Sequence, residues 1–441
     1  MWRDVYKRQD MAQRRDETQI QPQRRQHMQR CAVDCFSHRA SLPDRFFPKK
    51  RRPCRIPGRK ALFTFAHMVY NRDMKHRKIG ILGGTLDPVH LGHTALLRLA
   101  KEQLALSEAI LLPDGDPPHK HCHAVAEDRL WMAKLAAGDE FTVSDMEVRR
   151  EGATYTVDTL RRLRAQEPES ELVYIIGADT LPNLPTWREY REVFRLCTFA
   201  AARRGGEGAA VPEGARVLWL EGDPPDISST RIREVAATRG DLRGLVDDKV
   251  AAYIRKKGLY LMNVPEVEAE EALKKTLTKH RFRHTLGVRD MSERLARIHG
   301  LDAAAARVAG LLHDAAKCLP EKEQRRLAAG LADEGELANP ELLHAPAGAV
   351  VAKETFGVRD EEILAAIRCH TLGGSAMTGL MLAVFVADFI EPGREDFPGL
   401  AEARALAGTD LRAAASKCAQ LTKKHLEETG RAVHPRMETM L

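Results

Sequence analysis

His90 and His93 stand three residues apart in KIGILGGTLDPVHLGH (78–93), behind the glycine pair Gly83-Gly84 and Thr85. A glycine turn leaving a strand presents backbone N–H groups and a helix N-terminus, and both favour an anion. The stretch fits neither the GxxxxGK[ST] phosphate loop nor GxGxxG, because no Lys follows the glycines, so positive charge must come from elsewhere. Two imidazoles on one first helical turn, with Gly92 between them, can supply it, and they suit a phosphate better than a metal. The plainer alternative is one surface histidine and one helix-capping histidine. A second segment, ISSTRIRE (227–234), opens a helix with Ser228, Ser229 and Thr230 and continues with Arg231 and Arg233. Hydroxyls donate to phosphate oxygens and Arg offers a two-pronged fork; the alternative is an ordinary N-cap with solvated arginines.

In the C-terminal half, His284, the adjacent pair His313-Asp314, His370 and Asp388 each interrupt an apolar helical run. Burying one such group without a partner is costly, so several on separate runs are best explained by convergence, and a metal ion is the common target they suit. Nitrogen plus carboxylate ligation favours Mn²⁺, Fe or Mg²⁺ over a structural zinc, which prefers thiolates. A single His-Asp dipeptide means little; the ordered set His…His-Asp…Asp is specific. Lys317, one turn beyond the pair, and Arg394 are placed either to bind polyphosphate or to be solvated.

Two kinds of element must hold these groups. From Lys78 the chain alternates apolar strand, glycine turn and helix through KIGIL, EAILLP, ELVYIIGADTL and RVLWL, which predicts βαβ units and a parallel sheet. Beyond NVPEVEAEEA, long Ala/Leu/Arg-rich stretches carry almost no strand signal. The expectation is an α/β Rossmann-like domain over 74–262, a linker at 263–268 and an all-α domain over 269–441. At 441 residues the chain exceeds one core. Its formal charge of +7 comes from residues 1–73, which hold 18 Lys and Arg against 7 Asp and Glu; the remainder is mildly acidic, at −4. That argues against a nucleic-acid-binding face on the body. Residues 1–73, with the run KKRRPCR, are expected to be disordered or a non-native extension, since Met74 would make an ordinary start. Eight scattered cysteines with no CxxC pair fit reduced thiols in a cytosol. No run approaches the roughly 18 apolar residues of a membrane span; a cytoplasmic location is expected, and self-association is left open.

The segments GGTLDPVHLGH, PPHK (117–120), RLWM (129–132), GATYTVDTL (152–160), IIGADTLPNLPTW (175–187) and ISSTRIR together resemble the HxGH nucleotidyltransferases, and within them the nicotinate-mononucleotide adenylyltransferases, over about residues 76–262. The family usually has an aromatic residue where Leu86 stands, so the packing of that loop is expected to differ. The resemblance implies adenylyl transfer from ATP to nicotinate mononucleotide with Mg²⁺ and no covalent intermediate. It places His90 and His93 at the α/β-phosphates, Ser228, Ser229, Thr230 and Arg233 at the β/γ end, and Gly83, Gly84 and Thr85 close to the phosphates. Lys120, Tyr155, Thr156 and Trp187 fall near the mononucleotide, with Trp187 stacking on the pyridine ring or simply packed in the core, and Asp179 near the adenosine. Other acceptors, nicotinamide mononucleotide or pantetheine phosphate, are the alternatives. The words HRFRHTLGV, AGLLHDAAK, LLHAPAGA, AIRCHTLGG and VADFIEPGR resemble the HD metal-dependent phosphohydrolases, over about 269–430, and specifically the bacterial symmetrical diadenosine-tetraphosphate hydrolases. That resemblance implies one ion, Fe or Mn, at His284, His313, Asp314 and Asp388, a second site completed by His344 and His370, and cleavage to two ADP. The alternative there is a nucleotide-sensing module without turnover.

Overall fold

The structure, a computed structural model, describes residues 77–118, 120–202 and 209–440. The basic extension 1–73, with its expected disorder and its KKRRPCR run, lies outside the described residues.

The first domain is built from β1 (Lys78–Gly84), α1 (Leu91–Gln103), β2 (Glu108–Pro113), α2 (Ala126–Ala137), β3 (Thr142–Val143), α3 (Thr156–Gln166), β4 (Glu171–Gly177), a 3₁₀ segment (Ala178–Thr186), α4 (Tyr190–Leu196), β5 (Thr198–Ala202), β6 (Val217–Leu220), α5 (Ser229–Ala237) and α6 (Asp248–Lys257). The six strands form one parallel sheet in the order β3-β2-β1-β4-β5-β6. Strands buried on both faces should read as unbroken apolar runs, and VYII in β4 and FAAA in β5 do. Their alternate residues supply two cores. Val173 and Ile175 pack with Leu97, Leu111 and Met132 on one face, whereas Ile79, Ile81, Tyr174 and Phe199 pack with Leu160 on the other. The chain reverses direction of travel across the sheet between β1 and β4, which opens a crevice at the carboxyl ends of those strands, where ligands bind in open α/β sheets. Gly83 and Gly84 end β1 there.

The second domain is helical: α7 (Glu266–Thr276), α8 (Lys279–Ile298), α9 (Ala303–Leu312), α10 (Glu321–Ala328), α11 (Glu334–Ala338), α12 (His344–Glu354), α13 (Glu361–Cys369), α14 (Gly379–Ile390), α15 (Leu400–Ala407), α16 (Leu411–Glu428) and α17 (Pro435–Glu438). Helix α9 is buried almost all round, so it forms the domain's spine rather than a surface helix. The stretch 263–268, expected as a linker, already contains the first turn of α7. The change of core comes slightly earlier: Tyr260 packs in the first domain and Leu261 and Met262 pack with Ala269 and Leu273 in the second. The five cysteines among the described residues are all free. No helix among the described residues is long and apolar enough to cross a membrane.

Candidate active sites

The crevice beside β1 is a cleft of about 640 Å³, and it collects Gly83, Gly84, Thr85, His90, His93, Lys120, Tyr155, Thr156, Asp179 and Trp187 from distant parts of the chain. His90 and His93 begin α1 with their rings stacked at 3.6 Å between centroids, and the His90 backbone N–H donates to His93 Nδ1 at 3.2 Å. Gly92 is small by necessity: a Cβ would sit 2.9 Å from the Pro225 carbonyl and 3.0 Å from the His90 ring. A Cβ on Gly83 would overlap the Tyr174 hydroxyl. Leu86, the departure from the family pattern, takes a left-handed backbone conformation with φ of 47° and buries its side chain in the core. Trp187 is partly buried, packing edge-on to Tyr174 at 5.9 Å, while Arg188 lies over the Tyr155 ring at 4.4 Å.

Ser228, Ser229, Thr230 and Arg233 do not line the cleft. They face the loop leading into His90. Ser228 caps α5 by accepting from the Arg231 N–H, and Ser229 Oγ donates to the Pro88 carbonyl at 3.0 Å. Arg233 donates to the Asp87 carbonyl at 2.8 Å and to Thr230 Oγ1 at 3.0 Å. The hydroxyl-and-arginine helix therefore braces the histidine turn.

Three residues with no role assigned from sequence shape this cleft. Arg129, in RLWM, is buried and donates to four carbonyls: Ala124, Thr85, Asp114 and Gly115. It thereby ties the Thr85 loop to the loop after β2. Asp114 and Glu147 put two carboxyl groups into the cleft wall. Burial, and then the Glu147 charge, push the Asp114 carboxyl up to about 7 despite Arg129 and Lys120, and burial raises Glu147 too. Each stands among other charged or polar residues, as in AEDRLWM, PDGDPP and SDMEVRRE, and nothing local marked which charges face inward.

In the second domain, His284 on α8, His313 and Asp314 after α9, His344 at the start of α12, His370 after α13 and Asp388 on α14 converge. Asp314 is the hub. Its oxygens lie 3.5 Å from His313 Nε2, 3.6 Å from His344 Nε2 and 3.8 Å from His370 Nε2, and His284 Nε2 is 3.0 Å from Asp388. Three overlapping groups, His284-His313-Asp314, His313-His370-Asp388 and Asp314-His344-His370, each bring three ligand atoms within 4.8 Å of one another.

Every ring is aimed by its other nitrogen. Nδ1 of His313, His344 and His370 lies 2.7–2.8 Å from the carbonyl three residues earlier, on Gly310, Glu341 and Ile367. His284 Nδ1 lies 3.2 Å from the buried carboxylate of Glu391. Such contacts require a proton on Nδ1 and leave Nε2 as the ligand atom. Nε2 of His284 and of His313 is buried and makes no hydrogen bond. Orphaned imidazole nitrogens facing two carboxylates fit a divalent ion. Burial, together with neighbouring cations, pushes His344 down to about 3 and His370 down to about 4, so both rings are neutral and able to ligate. Burial would raise Asp314, but the surrounding histidines hold it well below the usual carboxylate range.

Lys317 lies against His344, 3.1 Å from Nδ1, with its ammonium pKa lowered by burial. Arg394 donates to Asp388 Oδ1 at 3.1 Å. Arg281, which sequence reasoning did not single out, donates to Asp314 Oδ2 at 3.0 Å.

Comparison with known proteins divides the chain in the same way. Residues 81–235 match the cytidylyltransferase-like family model and residues 281–405 match the HD domain model. A probable nicotinate-nucleotide adenylyltransferase of Synechococcus sp. (strain JA-3-3Ab) is 41% identical over 201 residues, covering 43% of this chain and 97% of that protein. The corresponding protein of Frankia casuarinae is 44% identical over 187 residues, covering 41% and 98%. A solved structure from Clostridium acetobutylicum, described as a predicted HD superfamily hydrolase involved in NAD metabolism, is 35% identical with a TM-score of 0.39, covering 40% of this chain and 94% of that one.

Proposed function

The chain belongs, through its first domain, to the nicotinate-nucleotide adenylyltransferase family and carries an HD domain behind it, and from that premise we propose a bifunctional enzyme. The first domain transfers AMP from ATP to nicotinate mononucleotide. An oxygen of the mononucleotide 5′-phosphate bonds to the α-phosphorus of ATP as the bond from that phosphorus to the bridging oxygen breaks, giving nicotinate adenine dinucleotide and pyrophosphate. Such chemistry is mostly alignment and charge neutralisation. The observation that carries this reading is the His90–His93 pair stacked at the mouth of the β1 crevice.

In this reading His90 and His93 donate to the α/β-phosphates, and the Gly83-Gly84-Thr85 turn lets the chain approach them. Ser228, Ser229, Thr230 and Arg233, which follow the cleft-lining Ile227, take the β/γ end where ATP extends beyond the histidine turn, with Mg²⁺ arriving on ATP. Lys120, Tyr155, Thr156 and Trp187 lie beside the mononucleotide, Trp187 stacking on its pyridine ring, and Asp179 lies near the adenosine. The test is a competition of nicotinate mononucleotide, nicotinamide mononucleotide and pantetheine phosphate, in wild type and His93→Ala. Preference for the nicotinate acceptor, and loss of turnover in His93→Ala, are expected. Near-normal turnover without His93 would remove its role, and preference for another acceptor would reassign the substrate.

The second domain is proposed to hydrolyse diadenosine tetraphosphate to two ADP. What supports it is Asp314 at the centre of His284, His313, His344, His370 and Asp388. A divalent ion, Fe or Mn, held there would lower the pKa of a nucleophilic water and neutralise charge on the phosphate under attack. The chain's own part is to hold the imidazoles and carboxylates in place, and to present Lys317 and Arg394 for the polyphosphate. Product separation after incubation with Mn²⁺ or Fe²⁺ tests this. ADP alone is expected; AMP plus ATP means attack at another phosphorus, and saturable binding without products means a sensor.

A further inference from the structure

Arg239 follows α5, in the first domain, and its guanidinium reaches three carboxylates of the second. It donates to Asp302 Oδ2 at 3.3 Å, to Glu362 Oε2 at 2.9 Å and, through both Nε and Nη2, to the buried Asp360. Two of those carboxylates are helix caps. Asp302 is the N-cap of α9 and accepts from the Ala305 N–H; Asp360 is the N-cap of α13 and accepts from the N–H groups of Glu362 and Ile363. The residues that end those same helices are His313 and His370. One arginine of the first domain thus grips the starting ends of the two helices whose finishing ends present His313, Asp314 and His370, about 15 Å away by the helical rise.

The electrostatics favour this use. A helix N-terminus repels a cation, and two pointing at one guanidinium would repel it twice, but the capping aspartates reverse the local sign. Arg239 also sits just past the C-terminal end of α5, where a cation is favoured, and it holds a left-handed φ of 55° that a non-glycine residue keeps only when its surroundings over-determine it.

We propose that Arg239 is a positioning residue for the metal centre: by fixing the starts of α9 and α13 against the first domain, it sets the spacing of His313, Asp314 and His370 and so part of the second domain's affinity for divalent ions. The proposal rests on reading those residues as metal ligands.

The experiment is Mn²⁺ titration of the full chain by calorimetry, with melting temperature measured in chelator and in Mn²⁺, for wild type, Arg239→Ala, Asp302→Asn and Asp314→Asn. Asn caps a helix as well as Asp does, so Asp302→Asn keeps the cap and removes one of the three charges that Arg239 grips. Weaker Mn²⁺ binding, by about tenfold as for other residues that orient ligands, is expected in Arg239→Ala, with a smaller loss in Asp302→Asn and unchanged adenylyl transfer in both. Should Arg239→Ala fail to fold, Asp302→Asn decides alone. A lowered melting temperature in chelator with wild-type Mn²⁺ affinity would make the contact a mere domain fastening and overturn the proposal. Wild-type Mn²⁺ binding in Asp314→Asn, or none in wild type, would instead overturn the ligand reading beneath it.

Discussion

Arg129→Met is the most severe single change the first domain's architecture implies. The guanidinium is 1% exposed and donates to four carbonyl oxygens, at 3.2 Å from Ala124, 2.8 Å from Thr85, 2.6 Å from Asp114 and 2.7 Å from Gly115. Met fills much of the same volume, so the loss is polar rather than a cavity. Hydrogen bonds from a charged donor contribute about 1.5–3 kcal/mol each, and relief from burying the charge offsets part of the total, leaving about 4–6 kcal/mol. With a urea m-value of about 2–3 kcal/mol/M, the first domain's transition should move down by about 2 M. Urea titration followed by far-ultraviolet circular dichroism measures it, with nicotinate mononucleotide KM as companion, because Thr85 and Asp114 border the cleft. A shift below about 0.5 M would mean that water or a local rearrangement satisfies those carbonyls, and the reasoning would be wrong.

Three further outcomes follow from the same structure. Asp114→Asn should stabilise the chain increasingly as pH rises: the wild-type carboxyl, pushed up to about 7 from near 4, favours the folded state fully only below pH 4 and loses that contribution between pH 4 and 7, on the order of 2–4 kcal/mol. A wild-type-to-mutant difference that is flat from pH 4 to 8 would refute it. Gly83→Ala should cost about 1–3 kcal/mol by forcing a Cβ into the Tyr174 hydroxyl, and Tyr174→Phe should recover part of it in a thermal melt; no recovery would place the strain elsewhere. Mn²⁺ should raise the melting temperature of wild type and leave Asp314→Asn unmoved, since Asp314 is the carboxylate that lies within 3.8 Å of Nε2 of His313, His344 and His370; equal shifts would remove Asp314 from the site.

What could be read from sequence was what is local. Strands β1, β2, β4 and β6 announced themselves because a parallel sheet covered on both faces demands unbroken apolar runs, whereas the two-residue β3 and the alanine-rich β5 did not. Helix α5 was legible from its own capping serine. Ligand-type residues in the helical half stood out because a histidine or aspartate in an apolar run must find a partner. What stayed hidden acts over distance: Arg129 serves carbonyls up to 44 residues away, and Arg239 pairs with carboxylates 63 to 123 residues on. On the page each is one more arginine. The change of core between Tyr260 and Leu261, just ahead of the expected linker at 263–268, was hidden for a similar reason, since Leu261 and Met262 differ from Tyr260 only in which core receives them.

The two sites use helix ends differently, and the choice follows from charge. The first must receive a polyanion, so it places the N-terminus of α1 at the cleft, where unpaired amides and the dipole favour phosphate, and the start of α5 braces that turn. The second must receive a cation, and three of its histidines follow or occupy helix ends where a carbonyl three residues earlier claims Nδ1. That contact does two jobs at once: it satisfies a carbonyl left over by the turn, and it fixes the tautomer so that Nε2 offers a lone pair. Asp314 and Asp388 bring two carboxylates among the rings, and Arg281 and Arg394 each bind one of them from the rim. A centre of imidazoles and carboxylates arranged this way suits a divalent ion by its donor set, whereas a zinc-finger-like site would have needed thiolates, and none of the five described cysteines is among the clustered residues.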